Sequence, residues 1–418
     1  MSTTKASPEI AVIGAGAAGL IAAYTASCLG ASVTLFEKNR RTGRKLRITG
    51  KGRCNLTNDC EPEEFLRNVP TNPRFLYSSL YGFSPSDTQE LFGSQLGVPL
   101  KVERGKRVFP VSDNANDIAD AVTDACKKSG VKLITAEKVL SLAVENGRVT
   151  GIVTREGALP FSAVIVATGG KSYPLTGSDG DGYRFAKSAG HSVTPLRPSL
   201  VPLTSQSGLC RECQGLSLKN IGFTVENTAG KKVYDDFGEL MFTHFGLTGP
   251  VVLSASAHLS DITPGKYTAV IDLKPALDEK TLDQRIQSDF RKYLNRDFQN
   301  SLGDLLPQKL ITPFVKLTGI PPAKKVNEIT REEREKVVSN LKHLRIPLSG
   351  FRPIDEAIVT KGGVSVKELD PHTMESKLVK GLYFAGEVID VDAYTGGFNL
   401  QIAFSTGVAA GRAAATAE

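Results

Sequence analysis

The first residues whose types and spacing can do chemistry are the glycines of GAGAAG, Gly14, Gly16 and Gly19. The first glycine permits a tight turn, the second lets backbone approach a diphosphate, and the third lets a helix pack close on a strand. With Ala15, Ala17 and Ala18 filling the turn, the N–H groups and positive dipole end of the next helix would face phosphate oxygens. Glu37 ends the following apolar run, where a carboxylate accepts hydrogen bonds from an adenosine ribose and repels a 2′-phosphate. Directly after it, Lys38, Arg40, Arg41, Arg44, Lys45, Arg47, Lys51 and Arg53 follow with no acid among them. Such a run is ordinarily a solvated face, but here it adjoins a unit whose ligand carries phosphates to be neutralised.

A second set of candidates lies far along the chain. AVIVATGG at 163–170 and GLYFAGE at 381–387 each read as a buried strand running into a glycine turn, and TGGFNLQ at 395–401 opens an Ala-rich helix. The free N–H groups of that helix start could face the N1 and C2 carbonyl edge of a flavin, where negative charge builds on reduction. The two strands resemble those that return to the flavin in the glutathione-reductase-like FAD superfamily, and a nicotinamide dehydrogenase would not need them. FAD is therefore the expected cofactor. No second GxGxxG stands between a strand and a helix, so NAD(P)H is expected as a transient donor docking at the flavin face.

Reducing a polarised double bond needs hydride at one carbon and a proton at the other, so an acid should stand over the ring. Cys54 lies in GKGRCN beside Arg53, which would favour its thiolate; His244 lies in THFG; Tyr394 precedes the TGG turn. Each has a structural alternative: a small buried residue, a loop anchor and a packing aromatic. Asp390 and Asp392 read as holding the loop and the ribityl hydroxyls rather than as acids. Cys210 and Cys213, in CREC, have redox or metal spacing, but no further ligands stand at a recognisable spacing, so no metal is expected. They read as two half-buried thiols in a β segment, and the six cysteines as reduced.

These residues must be positioned by a strand, glycine turn, helix, strand unit: Ile10–Ile13, GAGAAG, Ala17–Leu29 with Gly30 as its stop, and Val33–Phe36. Further helices are expected over Asn116–Ser129 and from Phe398 onward. The fold class is α/β, a Rossmann-like FAD-binding domain of glutathione-reductase type with an inserted substrate domain. The bounds read as 1–195 plus 350–418 for the discontinuous FAD domain and 196–349 for the insertion, β-rich over 196–275 and helical over 276–345. Alternating runs at Leu216–Val225 and Tyr267–Leu273 and a capping box at Thr330–Glu333 carry that division. At 418 residues, 40% hydrophobic and 23% charged, the chain is too long for one core and has no apolar run able to span a bilayer. Its start lacks the pattern of an export leader, so a cytoplasmic address without a membrane is expected; the oligomeric state is not legible. A net charge of +7, from 51 basic against 44 acidic residues, permits an anionic partner without proving one.

GRKLRITGKGRCNLTN at 43–58, MFTHFGLTGP at 241–250, and the stretch from Gly362 to Gly407 containing GLYFAGEVIDVDAYTGGFNLQ resemble the BaiN-like (YhiN-like) family of FAD-dependent oxidoreductases, also labelled aminoacetone oxidases. The likeness runs over essentially the whole chain. It implies cofactor contacts at Gly14, Ala15, Gly19, Glu37, Arg44, Lys45, Ala167, Thr168, Gly386, Glu387, Gly397, Asn399, Leu400 and Gln401, and Gly16, Ala17, Ala18, Lys38, Gly43, Asn55, Val139, Gly169, Asp390 and Gly396, beside them in the same motifs and loops, are expected to complete the site. Ala393 departs from the family, where glycine is common. GSDGDGYRFAKSAGH at 177–191 also resembles the fumarate-reductase-like branch, whose members reduce carbon–carbon double bonds.

The resemblance leaves several activities open. One is reduction of a uridine in ribosomal RNA to dihydrouridine, consistent with the cations Arg291, Lys292, Arg296, Lys324, Lys325, Arg331 and Arg334 on the insertion. Others are reduction of a small conjugated ketone such as a steroid, oxidation of an amine or aminoketone, and a non-enzymatic flavin-binding redox sensor.

Overall fold

The computed structural model describes residues 7–417; the first six residues, on which the expectation about an export leader partly rests, lie outside them. The chain divides into two compact units, one ending at Ser199 and resuming at Ile354, the other Leu200–Pro353, set beside 195 and 350 read from the sequence. Among the described residues no helix is long and apolar enough to cross a membrane.

The first unit is built on a five-stranded sheet in the order Leu382–Phe384, Ala163–Val166, β1 (Glu9–Ile13), β2 (Ser32–Glu37) and Lys132–Thr135. Every pairing is parallel. Parallel strands are covered on both faces, which is why they are apolar without alternation: Ile10, Ala11 and Val12 of β1 and Val164, Ile165 and Val166 of its neighbour are all fully buried. Helix α1 (Ala17–Cys28) follows β1 and buries Ala18, Leu20, Ile21, Ala22 and Ala23. It is apolar nearly all round because it packs on the C-terminal helix, Phe398–Thr416, as well as on the sheet. The second helix predicted from periodicity, over Asn116–Ser129, forms as Ala115–Lys128, with Asn114 capping its start by accepting from Asn116 N at 3.1 Å.

A buried histidine ties this unit's C-terminal loops together. The Ser376 hydroxyl accepts from Leu378 N (3.0 Å) and Val379 N (2.8 Å), so its own proton goes to His191 Nε2 at 2.7 Å. That fixes the other proton on Nδ1, which donates to Glu368 Oε2 at 3.0 Å. Burial holds His191 neutral by lowering its pKa from 6.5, against the pull of Glu368. A base depressed on folding binds fewer protons in the native state, so its stabilising contribution is present above about 6.5 and is lost as pH falls below it. Melting curves from pH 8 to pH 5 should therefore fall more steeply for the wild type than for His191→Gln, by on the order of 1–2 kcal/mol for the lost Ser376 bond. Parallel curves would contradict the neutral tautomer.

The second unit carries a seven-stranded sheet, antiparallel where its strands pair, with Ser217–Asn227 flanked by Tyr267–Asp272 and Lys232–Thr243. Helices Glu279–Lys292, Gln308–Thr318 and Arg331–Lys342 complete its separate core. The capping box at Thr330 forms: its hydroxyl accepts from Glu333 N at 3.3 Å, and Glu333 Oε2 accepts from Thr330 N at 2.8 Å. Two expectations about this unit need correction. Cys210 and Cys213 lie on and just after a helical turn, Gly208–Glu212, not in a β segment, and both are fully buried, which pushes each thiol up to about 11. The cations of the insertion are also largely neutralised by neighbours, Lys324 by Glu333 (2.7 Å), Lys325 by Asp297 (2.8 Å), Arg331 by Glu335 (2.9 Å) and Arg334 by Asp283 (2.5 Å). Lys292 pairs with Asp289 and Arg296 lies over the Tyr293 ring, so this is a mixed surface and not a cationic face.

Candidate functional site

The three opening glycines meet different surroundings. Gly14 has φ +102°, and a Cβ there would stand 2.6 Å from Ala167 O; a Cβ on Gly19 would stand 1.8 Å from Gly14 O. Gly16 faces nothing within 4 Å. Two of the glycines thus let strand, turn and helix touch, and the third borders open space where the first-turn N–H groups of α1, including those of Ala17 and Ala18, lack intrahelical acceptors. A diphosphate suits such a cradle, which presents amides, a positive helix end and no side chain in the way.

Glu37 is 8% exposed and braces this turn, its Oε2 accepting from Ala15 N (2.9 Å) and its Oε1 from the backbone and side chain of Asn39 (2.8 and 2.6 Å). Gly43 N donates to Ala15 O at 2.8 Å, folding the 37–43 loop back over the glycines. Four of the eight cations of the basic run, Lys38, Lys45, Arg47 and Arg53, pair with this chain's own acids. Lys38 pairs with Asp179 (2.6 Å) and Asp181 (3.0 Å), Arg47 with Asp120 (2.6 Å), and Arg53 with Glu103 and Asp113. Arg44 donates to Asn39 Oδ1 at 2.7 Å.

Lys45 is placed differently. It lies in the first turn of α2 (Arg44–Gly52), and its Nζ reaches Glu387 Oε2 at 2.7 Å and Ser172 Oγ at 2.6 Å. Glu387 Oε1 accepts from Thr360 N (2.9 Å) and Ser172 Oγ (3.1 Å). Burial alone would raise the Glu387 carboxyl, but the Lys45 ammonium and these hydrogen bonds outweigh it and hold the group below the usual carboxylate range. Around the same sheet end, Ala167 N donates to Ile13 O, Thr168 Oγ1 is buried without a partner, Gly169 and Gly386 adopt positive φ, and Val139 is buried after the last sheet strand.

The turn before the C-terminal helix is Gly396–Gly397, with φ +129° and +97°. A Cβ on Gly397 would lie 2.3 Å from Thr57 O, so only glycine admits the strand Thr57–Asn58 alongside. With its amide oriented to satisfy both neighbours, Asn55 accepts from Gly397 N (2.9 Å) and donates to Thr57 O (3.2 Å). Asn58 Nδ2 donates to Gly396 O at 3.1 Å. Two expected cofactor side chains are committed elsewhere. Asn399 accepts from Ala393 N (3.0 Å) and donates to Ala393 O and Tyr394 O, clamping the preceding loop. Gln401 is fully buried, its amide bonded to Thr57, Thr88, Phe83 and Ser405. Their side chains shape the turn; the first-turn N–H groups of the helix, Leu400 among them, are what it can offer a ligand.

The candidate acids separate. Cys54 is fully buried, and burial pushes its thiol up to about 12, so the thiolate expected from Arg53 does not form. Tyr394 is half-buried in the first unit, its N donating to Asn68 O at 3.0 Å. His244 belongs to the second unit, exposed between strands Lys232–Thr243 and Gly246–Thr248, its ring edge-on to Phe245. Burial raises the Asp390 carboxyl and the charge of Asp392 adds to this against a Thr194 hydrogen bond, which favours its protonated form. Asp392 is 1% exposed, with Oδ2 accepting from Ser199 Oγ at 2.7 Å and Oδ1 unpartnered. Asn39, Thr57, Asn58, Ser172 and Thr360, which the sequence does not single out, bond to Glu37, Gln401, Gly396 and Glu387 around these turns. Thr57 and Asn58 stand inside the motif GKGRCNLTN, and Ser172 directly follows ATGG, so adjacency to those motifs was the available signal.

The glycine cradle, the strands that end beside it and the Gly396–Gly397 turn stand on one parallel sheet of Rossmann type, and with the family match the protein is an FAD-dependent oxidoreductase. The chain belongs to the family described as the HI0933-like protein Rossmann domain, matched over residues 8–413. It is 33% identical to a 3-dehydro-bile acid delta(4,6)-reductase of Clostridium scindens, over 97% of this chain and 99% of that protein. It is also 33% identical to a ribosomal RNA dihydrouridine synthase of Escherichia coli, over 94% of this chain and 95% of the relative. Among solved structures, the 3-ketosteroid-delta4-(5alpha)-dehydrogenase of Rhodococcus jostii shares the fold at a TM-score of 0.54 and 16% identity, covering 99% of this chain and 98% of that one.

Proposed function

We propose that this protein is a reductase of a carbon–carbon double bond conjugated to a carbonyl, that its substrate is a uridine of ribosomal RNA, and that NAD(P)H is the electron donor. The observation that carries the reading is the end-to-end match to a ribosomal RNA dihydrouridine synthase. The net charge of +7 is compatible with a polyanionic partner, although the cations of the insertion are largely paired with acids. In balance, uridine, NAD(P)H and a proton give dihydrouridine and NAD(P)⁺. FAD, when bound, supplies the hydride chemistry; this chain's residues hold it and manage the proton. The amides after Gly16 and the Gly396–Gly397 turn bind its two ends, and Asp390 and Tyr394, on the segment leading into that turn, are the candidate proton donors. Deleting the gene should abolish one dihydrouridine in ribosomal RNA, read by nucleoside mass spectrometry, and wild-type protein should restore it. Unchanged dihydrouridine would remove the RNA substrate.

A second reading has its own support, because the equally similar bile-acid reductase matches nearly its whole length. Both reactions are conjugate reductions, so the same site chemistry serves either. Reoxidation of the reduced enzyme by a conjugated steroid ketone, accelerated over buffer in stopped flow, would favour this reading over the first.

A further inference from the structure

Gln401 is a saturated buried amide whose two oxygen-side donors come from different elements. Thr57 Oγ1 donates to Oε1 at 2.6 Å and Thr88 Oγ1 to the same oxygen at 2.8 Å. On the other side, Nε2 donates to Phe83 O and Ser405 Oγ, both at 3.1 Å. No capacity of the amide is left for a ligand. Thr57 belongs to the strand that Asn55 and Asn58 bond to Gly397 and Gly396, and its own carbonyl lies against Gly397. Thr88 lies on helix Pro85–Glu90, which has no bond to either glycine among the described residues. Gln401 also sits in the first turn of the helix whose amides would meet the flavin, its N donating to Gly397 O at 3.1 Å. One hydroxyl therefore links the strand to the helix start, and the other anchors the same amide to a neighbouring helix.

We infer that Thr57 is a positioning residue for the bound flavin: through Gln401 it locks strand Thr57–Asn58 to the start of the C-terminal helix and so fixes the amides that face the flavin's pyrimidine edge. The inference rests on FAD binding at this site and is independent of which substrate is reduced. Negative charge gathers on that edge when the flavin is reduced, so well-held amides favour the reduced form. Loosening them weakens binding of reduced FAD more than of oxidised FAD, which lowers the two-electron potential.

The test compares two substitutions at one hydrogen-bond acceptor in the purified holoenzyme. Thr57→Val should lower the flavin potential in anaerobic dye equilibration by about 30 mV, the equivalent of a tenfold difference in relative affinity for a two-electron couple. Thr57→Ser should restore the wild-type potential. Thr88→Val, which removes the other donor to the same oxygen, should lower the melting temperature comparably and leave the potential unchanged. Thr57→Ala removes the same hydroxyl without placing a second methyl against Gln401, and is measured alongside in case the valine protein does not fold. Equal melting shifts with wild-type potentials in the Thr57 and Thr88 proteins would overturn the inference and leave Gln401 a core polar contact. Wild-type apoprotein that takes up no FAD would instead remove the cofactor assignment beneath it.

Discussion

Purified Gly16→Val protein is expected to fold, to melt near the wild-type temperature, and to be colourless. Gly16 has φ −86°, which valine adopts, and a Cβ there meets nothing within 4 Å, so the apoprotein has no reason to change. The same open space is where the proposed diphosphate would lie, against first-turn N–H groups that a branched side chain would screen. A loss of at least 100-fold in FAD affinity, about 3 kcal/mol, is the expected scale. Gly19→Val makes the opposite case, because its Cβ would stand 1.8 Å from Gly14 O and the strand–helix junction itself would have to open. That protein should be insoluble or melt far below the wild type, whether or not FAD is supplied. Visible absorbance and FAD titration of the refolded apoproteins separate the two effects. A yellow Gly16→Val protein with wild-type affinity would place the diphosphate elsewhere and undo the site.

What was legible in the sequence is what local rules encode. The periodicity of Ile10–Ile13 and Val33–Phe36, the glycines between them and the capping box at Thr330 each depend on residues within a few positions of one another, and each forms as read. Long-range partners have no local signature. Lys45 and Glu387 are 342 residues apart, and nothing near Lys45 distinguishes it from Lys38 or Arg53, which the fold assigns to aspartates and a glutamate. Gln401 looks the same in sequence whether its amide faces a flavin or two threonine hydroxyls. Cys54 illustrates the limit most sharply: Arg53 beside it suggests a thiolate, yet the two side chains diverge, one into ion pairs at the surface and the other into the core, and burial decides the thiol's state.

The same long-range pairing gives Lys45→Met a large effect on stability. Removing the ammonium leaves the Glu387 carboxylate with only the Ser172 hydroxyl and Thr360 N–H. Breaking a fully buried ion pair on one side costs about 3–5 kcal/mol; both side chains here keep about a fifth of their surface exposed (23% and 20%), so screening places the expected loss lower, at about 2–3 kcal/mol. Restoring neutrality with Lys45→Met/Glu387→Gln should recover much of that loss, so the double substitution is markedly less damaging than the sum of the single ones. The pH dependence has a definite sign. Because Glu387 is held below its ordinary 4.5 in the folded protein, the stability it contributes is present above about 4.5 and is lost as pH falls through the native value. The wild-type advantage over Lys45→Met should thus be full at pH 7 and shrink in melts taken at pH 4.5 and below. An advantage that stays constant across that range, or single-mutant losses that simply add, would mean that the pair is a surface contact and that Lys45 does not hold Glu387 in its charged form.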